Sequence, residues 1–289
     1  MRPPFMTFEA KQANPVLFLQ APHTSNYVPE DAGDPISPER LASHEGYDPG
    51  SIEMALNLYN QFSANAVLVC SNRSRLYVEH NRREPYCYPE GLSPEEIEHR
   101  RVEHYQPYID QVDAIIESFL ARRTFPVFLA VHTYTRKLDG YERKPFALFG
   151  NPDSVLIQSF AQNLHQRFHA DDMWEFVQGL TEKVSVLNIM HPVDINKPYG
   201  YMPTDVHHAQ YMFPTYAKKY DLPLWASLET RNDLVVLPQI LQIVREALAA
   251  TMKDQRLWAT LEWASSEKLT PGLPRTAPFL ETPVAPIPK

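Results

Sequence analysis

Cysteine is nearly missing from this chain. Cys70 and Cys87 are the two it has in 289 residues, too few for a disulfide framework, so a reduced, cytoplasmic setting is the expectation. Positive charge is also short. Lys and Arg number 27 against 35 Asp and Glu, a net charge of −8, and no basic patch accumulates, which argues against a general nucleic-acid binder. No apolar run approaches the roughly 20 residues of a membrane-spanning helix. The opening Met1-Arg2-Pro3-Pro4-Phe5 lacks the apolar core of a signal peptide. Glycine is scarce at 9 and proline abundant at 27, which predicts long, stiff loops. The length suffices for one large α/β domain or two small ones, and for a sizeable core.

The stretch Pro15-Val16-Leu17-Phe18-Leu19-Gln20-Ala21-Pro22-His23 organises the rest. Its apolar run suits a strand covered by helices on both faces, and it delivers His23 to the strand's carboxyl end. Ligands in open α/β sheets bind just past such ends. Residues 6–12 read as an edge strand, and 24–47 as a loop long enough to suggest that it serves a site. Asp48-Pro49-Gly50-Ser51 opens a helix, with Asp48 as N-cap and Pro49 as first helical residue. Strands are expected at 67–70 and 74–79, then a helix from Ser93 to about Arg122, broken near Pro107. A strand over 125–131 ends at His132, another spans 145–149, and a helix covers 155–168. Short strands fit 173–189 best, 196–201 looks like an ordered turn, and a helix covers 205–220. A strand over 223–228 ends at Glu229, and a helix follows over 237–252. Six prolines mark the tail from Thr270 as extended or disordered. Strands alternating with helices predict an α/β fold on a largely parallel sheet, in one domain over 1–265 with a proline-rich tail over 266–289.

Three apolar strands therefore end in His23, His132 and Glu229, and Asp48 begins the helix after one of them. Two histidines and a carboxylate are the usual ligand set of a hydrolytic zinc, and a further carboxylate beside it suits a general base. Spacing alone leaves the alternative open that both histidines hydrogen-bond to backbone at strand ends. No HExxH is present.

Six blocks carry a resemblance. They are His23-Thr24-Ser25-Asn26-Tyr27-Val28-Pro29, His44-Glu45-Gly46-Tyr47-Asp48-Pro49-Gly50, Ser74-Arg75-Leu76-Tyr77-Val78-Glu79-His80-Asn81-Arg82, Val131-His132-Thr133-Tyr134-Thr135, Asn196-Lys197-Pro198-Tyr199 and Leu228-Glu229-Thr230-Arg231-Asn232-Asp233-Leu234. In this order they resemble the N-formylglutamate amidohydrolase family, within the wider zinc-carboxypeptidase-like fold, which implies a mixed, largely parallel sheet flanked by helices on both faces. The resemblance implies Zn2+ held by His23, Asp48 and His132. In carboxypeptidases the second ligand lies three residues after the first, where this chain has Asn26, so Asp48 is preferred and Glu45 is its alternative. Asp48 as a plain N-cap is the competing explanation. Glu229 resembles the general base, with a strand-end salt bridge to Arg231 as its competing explanation. Asn81 and Arg82 resemble the pair that holds a substrate α-carboxylate, and a guanidinium fork suits that group. Arg75, Tyr134, Tyr199 and Arg231 are candidates to line the site. Two departures bear on substrate: Glu79-His80 where the family usually has Asp-Leu before Asn-Arg, and Thr133-Tyr134 where it often has Ser-Phe.

The expectation is a zinc-dependent hydrolase of an N-acyl amino acid with a free carboxylate, foremost N-formyl-L-glutamate, with no nucleic-acid or membrane partner. A carboxypeptidase or other N-acyl amino-acid deacylase is the alternative within the class. A non-catalytic small-molecule binding protein on the same fold is the alternative outside it.

Overall fold

The computed structural model describes residues 2–30, 32, 36–138, 140–197 and 211–269. Among these, a seven-stranded sheet carries the order β1-β3-β2-β4-β9-β7-β8. Its strands are β1 (Phe5–Phe8), β2 (Leu17–Ala21), β3 (Ala66–Ser71), β4 (Val127–Tyr134), β7 (Phe146–Phe149), β8 (Val193–Ile195) and β9 (Trp225–Arg231). A separate hairpin pairs β5 (Lys137–Leu138) with β6 (Tyr141–Glu142). The four central strands β3, β2, β4 and β9 are parallel neighbours, whereas β1 runs antiparallel to β3, and β7 runs antiparallel to β9 and parallel to β8. The mixed, largely parallel α/β sheet is thus the architecture. Its consequence is that β2, β4 and β9 end at the same edge.

The central strands are buried on both faces, which is why they read as continuous apolar runs. On one face Phe18 stacks on Phe128 at 5.2 Å between ring centres, and Tyr216 of the helix Met212–Lys219 meets Phe128 edge-on at 6.3 Å. The helices Ser51–Phe62, Val155–Phe168 and Pro238–Thr251 pack together against the sheet. Among the described residues no helix is long and apolar enough to cross a membrane.

Several elements differ from expectation for identifiable reasons. Residues 74–79 form no strand, because β3 is already paired on both sides, by β1 and by β2. The segment turns instead, with the Tyr77 and Val78 N–H groups donating to the Ser74 carbonyl at 2.9 and 3.0 Å. It is strapped to residue 46 by Ser74 Oγ–H and Arg75 N–H, both donating to the Gly46 carbonyl. Residues 173–189 hold short helices, Trp174–Gly179 and Val186–Met190, rather than strands. Pro107 does not break the long helix: it sits in the first turn of Gln106–Ala121, after a π-helical turn at Arg101–Tyr105. A helix at Gln255–Lys268 was not expected from the sequence and runs past residue 265. The expected turn over 196–201 and helix over 205–220 lie partly outside the described residues, and the proline-rich tail from 270 lies wholly outside them.

The turn before Ser51–Phe62 depends on Gly50. Its φ of +88° favours glycine, and a Cβ there would lie 2.0 Å from Val235 Cγ1. Gly50 is the N-cap, so the helix starts without a side-chain cap and Asp48 is released from that duty.

Candidate active site

His23 lies two residues past β2. Its carbonyl accepts the Asp48 N–H at 2.9 Å and the Ser51 hydroxyl at 3.2 Å, which ties the strand-end loop to the helix-entry turn. Asp48 is consequently turned inward and buried. Its Oδ2 lies 3.1 Å from His23 Nδ1 and 2.9 Å from His132 Nδ1. Its Oδ1 lies 3.3 Å from Arg75 Nη1 and 3.5 Å from His44 Nδ1. The ligand atoms of His23, Asp48 and His132 fall within 4.8 Å of one another. Glu45 is elsewhere, in an exposed pair with Arg40. Asn26 is exposed.

His132 stands inside β4, which extends through Tyr134, and Glu229 stands inside β9 directly opposite it in register. The two strands run on past their expected ends because they pair with each other through Tyr134 and Arg231. Both residues line a cavity of about 230 Å³ with His23, His44, Asp48 and Arg75. Asn81, Arg82, Tyr134 and Tyr211 also reach it, over a floor of Phe149, Phe213 and Ser227.

Glu79 is the residue that sequence reasoning missed. It contacts His23 Nε2, accepts the Asn81 N–H at 3.0 Å and pairs with Arg75 Nη2 at 2.8 Å. A carboxylate on the outer nitrogen of a ligating histidine is the usual device for fixing ring orientation and raising ligand basicity. The spacing of Arg75 and Glu79, four apart with charges opposed, was the available signal. His44 and Tyr211 were likewise not assigned.

Burial opposes charge throughout, and neighbours decide each outcome. For Asp48, burial is outweighed by His23, His132 and Arg75, and its carboxyl lies well below the usual range. For Glu79, burial yields to Arg75 and His23, with the same result. Burial works against the His23 cation, but Glu79 and Asp48 overcome it and raise its pKa. His132 goes the other way, lowered chiefly by burial, so its ring is neutral at pH 7. Glu229 is pushed well above the carboxylate range by burial first and Asp48 second, with Arg143 and Arg75 opposing.

The donor set fits a divalent cation. Two imidazole Nδ1 atoms converge on one carboxylate oxygen, so without a cation each needs a proton between it and Asp48. A neutral, buried imidazole is what a metal ligand must be, and two nitrogens with one oxygen suit zinc.

The N-formylglutamate amidohydrolase family profile matches residues 15–234. The chain belongs to the N-formylglutamate amidohydrolase family. No curated protein matches it. Among solved structures it is similar to a gene product of Agrobacterium tumefaciens, with 24% identity over 88% of this chain and 97% of that one, at a TM-score of 0.68. It is also similar to N-formylglutamate amidohydrolase from Ralstonia eutropha, with 14% identity over 91% of this chain and 100% of that one, at a TM-score of 0.60. These two likenesses bear on the fold.

In this amidohydrolase-family chain most expected residues come together, and one does not. Asn81 and Arg82 face the cavity with unpaired polar atoms, Asn81 Oδ1 and Arg82 Nε. Arg75 faces it too, but Asp48 and Glu79 occupy its guanidinium. Tyr134 contributes a ring wall, since its hydroxyl donates to the Lys144 carbonyl at 2.6 Å. Arg231 does not line the cavity. Its guanidinium is taken by Asp233 at 2.6 and 2.9 Å and by the carbonyls of Lys183 and Arg143. The same contacts replace the expected alternative of a Glu229–Arg231 salt bridge. Tyr199 lies outside the described residues.

Proposed function

We propose that the chain is a zinc-dependent amidohydrolase that cleaves the amide of an N-acyl amino acid, with N-formyl-L-glutamate, giving formate and L-glutamate, as its foremost substrate. The observation that carries this reading is the convergence of His23, Asp48 and His132 on one side of a small cavity with Glu229 beside them. His23, Asp48 and His132 hold the ion, and Glu79 fixes the His23 ring. A divalent cation there supplies Lewis acidity to the acyl carbonyl and to a water, and offsets the Asp48 charge that opposes ionisation of Glu229. Glu229 accepts a proton from the attacking water. It returns that proton to the amide nitrogen as the carbon–nitrogen bond breaks, and the amine leaves. Arg82 binds the α-carboxylate through its uncommitted edge, with Asn81 alongside. Arg75 is a positioning residue, holding Asp48 and Glu79 in place.

Elemental analysis of protein purified without chelators, combined with a formate-release assay, tests the reading. One bound zinc per chain is expected, lost with activity in His23→Ala. Glu229→Gln keeps the metal and loses roughly 10²–10⁴-fold in kcat. Unchanged turnover in Glu229→Gln refutes the assigned base, and a protein that takes up no stoichiometric metal refutes the centre.

A further inference from the structure

His44 has no part in the metal centre or in the carboxylate clamp, yet it borders both. A tight turn after the helix Pro38–Ala42 presents it. The Gly46 N–H donates to the Ser43 carbonyl at 3.0 Å, and the Glu45 N–H to Ser43 Oγ at 3.1 Å. The same turn is anchored from outside, since the Gly46 carbonyl accepts the Ser74 hydroxyl at 2.8 Å and the Arg75 N–H at 3.0 Å. The ring therefore has a fixed place. It lines the small cavity and also the wider cleft beside it, together with Arg75 and Arg82. Its Nδ1 is buried, makes no hydrogen bond and lies 3.5 Å from Asp48 Oδ1. The side chain is nonetheless 30% exposed, so its open edge is the one that carries Nε2.

The neighbouring charge decides which nitrogen is protonated. A lone pair on Nδ1 would face the Asp48 oxygen, so the single proton of the neutral ring sits on Nδ1 and Nε2 keeps its lone pair. An imidazole of ordinary pKa, about 6.5, is neutral at pH 8. Arg75, 3.3 Å from the same Asp48 oxygen, opposes a charge on the ring, as would a cation held by Asp48. His44 thus offers an acceptor at a rim where Arg75 and Arg82 can only donate.

The shape of the substrate says what that acceptor meets. The acyl carbonyl is held at the Asp48 end and the α-carboxylate at Arg82. The scissile nitrogen stands between them, one bond from the acyl carbon and two from the carboxylate carbon. Its N–H needs an acceptor once the substrate has left water. Asn81 Oδ1 is a second unpaired acceptor, but its residue adjoins Arg82 at the carboxylate end.

We propose that His44 is a substrate-binding residue whose Nε2 accepts the N–H of the scissile amide. This rests on the amidohydrolase reading and narrows its substrate class to secondary amides, those built on a primary amine. Glu229 places the water proton on the nitrogen lone pair, the carbon–nitrogen bond breaks, and the amine leaves with that proton beside the hydrogen already held by His44. The hydrogen bond strengthens as the nitrogen gains positive charge, so it favours the transition state over the bound substrate.

The test compares N-formyl-L-glutamate with the O-formyl ester of (S)-2-hydroxyglutarate, in which oxygen replaces the N–H, at pH 8 with spontaneous ester hydrolysis subtracted. His44→Leu, and independently His44→Ala, should lower kcat/KM for the amide at least about tenfold more than for the ester. Bound zinc is measured in each variant, because a ring that served only to hold Asp48 would cost metal and cut both substrates alike. Equal losses for amide and ester, with or without loss of zinc, overturn the proposal. If the wild type leaves the amide intact, the amidohydrolase reading fails by itself. Calorimetric affinities in a Glu229→Gln background then decide: amide affinity lowered at least about fivefold more than ester affinity by His44→Leu retains the contact, and an equal change, or no binding of the amide, removes it.

Discussion

Two charge clusters meet at β9: Arg231 centres one, and Glu229 joins the other, which gathers around His23 past the end of β2. Around Arg231, every guanidinium nitrogen has a partner, from Asp233, from two backbone carbonyls and, at 3.5 Å, from Glu142. Around His23, seven histidine, carboxylate and arginine side chains line a cavity with donors and acceptors left over: Asn81 Oδ1, Arg82 Nε and His132 Nε2 have no hydrogen-bond partner there. Both set arginine against carboxylates, and the histidines belong to the second. A closed network braces the sheet against the 183 and 143 segments, whereas the other leaves polar atoms unpaired beside a cavity. Charge alone therefore does not mark a site, but unfilled hydrogen-bonding capacity beside a void does.

The sharpest way to break the contrast is Arg231→Met. It leaves the Arg143 and Lys183 carbonyls and Asp233 without their guanidinium partner and should cost about 3 kcal/mol of unfolding free energy in a urea titration, with zinc affinity retained. Activity lost through weakened metal binding in this variant would erase the distinction. Glu79→Gln probes the open cluster. It keeps the shape but weakens the brace on His23, and should raise the zinc Kd by roughly 10–100-fold in a competition assay with a chromophoric chelator. The smallest effect concerns His80, which is buried beneath the site with Ser71 Oγ at 2.7 Å and the His104 carbonyl at 2.9 Å. Burial lowers its pKa to about 3. The unfolded chain binds that proton near pH 6.5, so the stabilisation is complete above 6.5 and drains as pH falls toward 3. Between pH 6.5 and 5 the unfolding free energy should drop by about 1–2 kcal/mol on this account. A slope in His80→Gln as steep as in the wild type would dismiss it.

Much of this arrangement was legible in the chain. The runs ending at His23, His132 and Glu229 are apolar because parallel central strands are covered on both sides, and their shared direction brings those ends together. The resemblance left Asp48 and Glu45 as alternatives, with Asp48 preferred, and the fold turns Asp48 toward the two histidines. The errors came where a local pattern had two solutions. Residues 74–79 carry the run Leu76-Tyr77-Val78, which suits a short strand, yet both edges of β3 were already filled by segments distant in sequence. Asp48 before Pro49 reads as a cap until the left-handed Gly50 takes that position. Arg231 lies two residues from Glu229, and no local rule tells that Asp233 bends its side chain out of reach of the cavity. Glu79 was invisible as a partner of His23 because the two are 56 residues apart and meet only through the folded strap at Gly46.

Gly50 fits against Val235, and Val235 belongs to the short helix Asn232–Val235 that follows β9 directly. The bend carrying Asp48 and the strand carrying Glu229 are therefore dovetailed by one methyl group seated where a side chain would otherwise stand. The separation of Asp48 from Glu229 is thus inherited in part from a joint whose two residues do not line the cavity, so repacking that joint would shift one carboxylate against the other from outside the site.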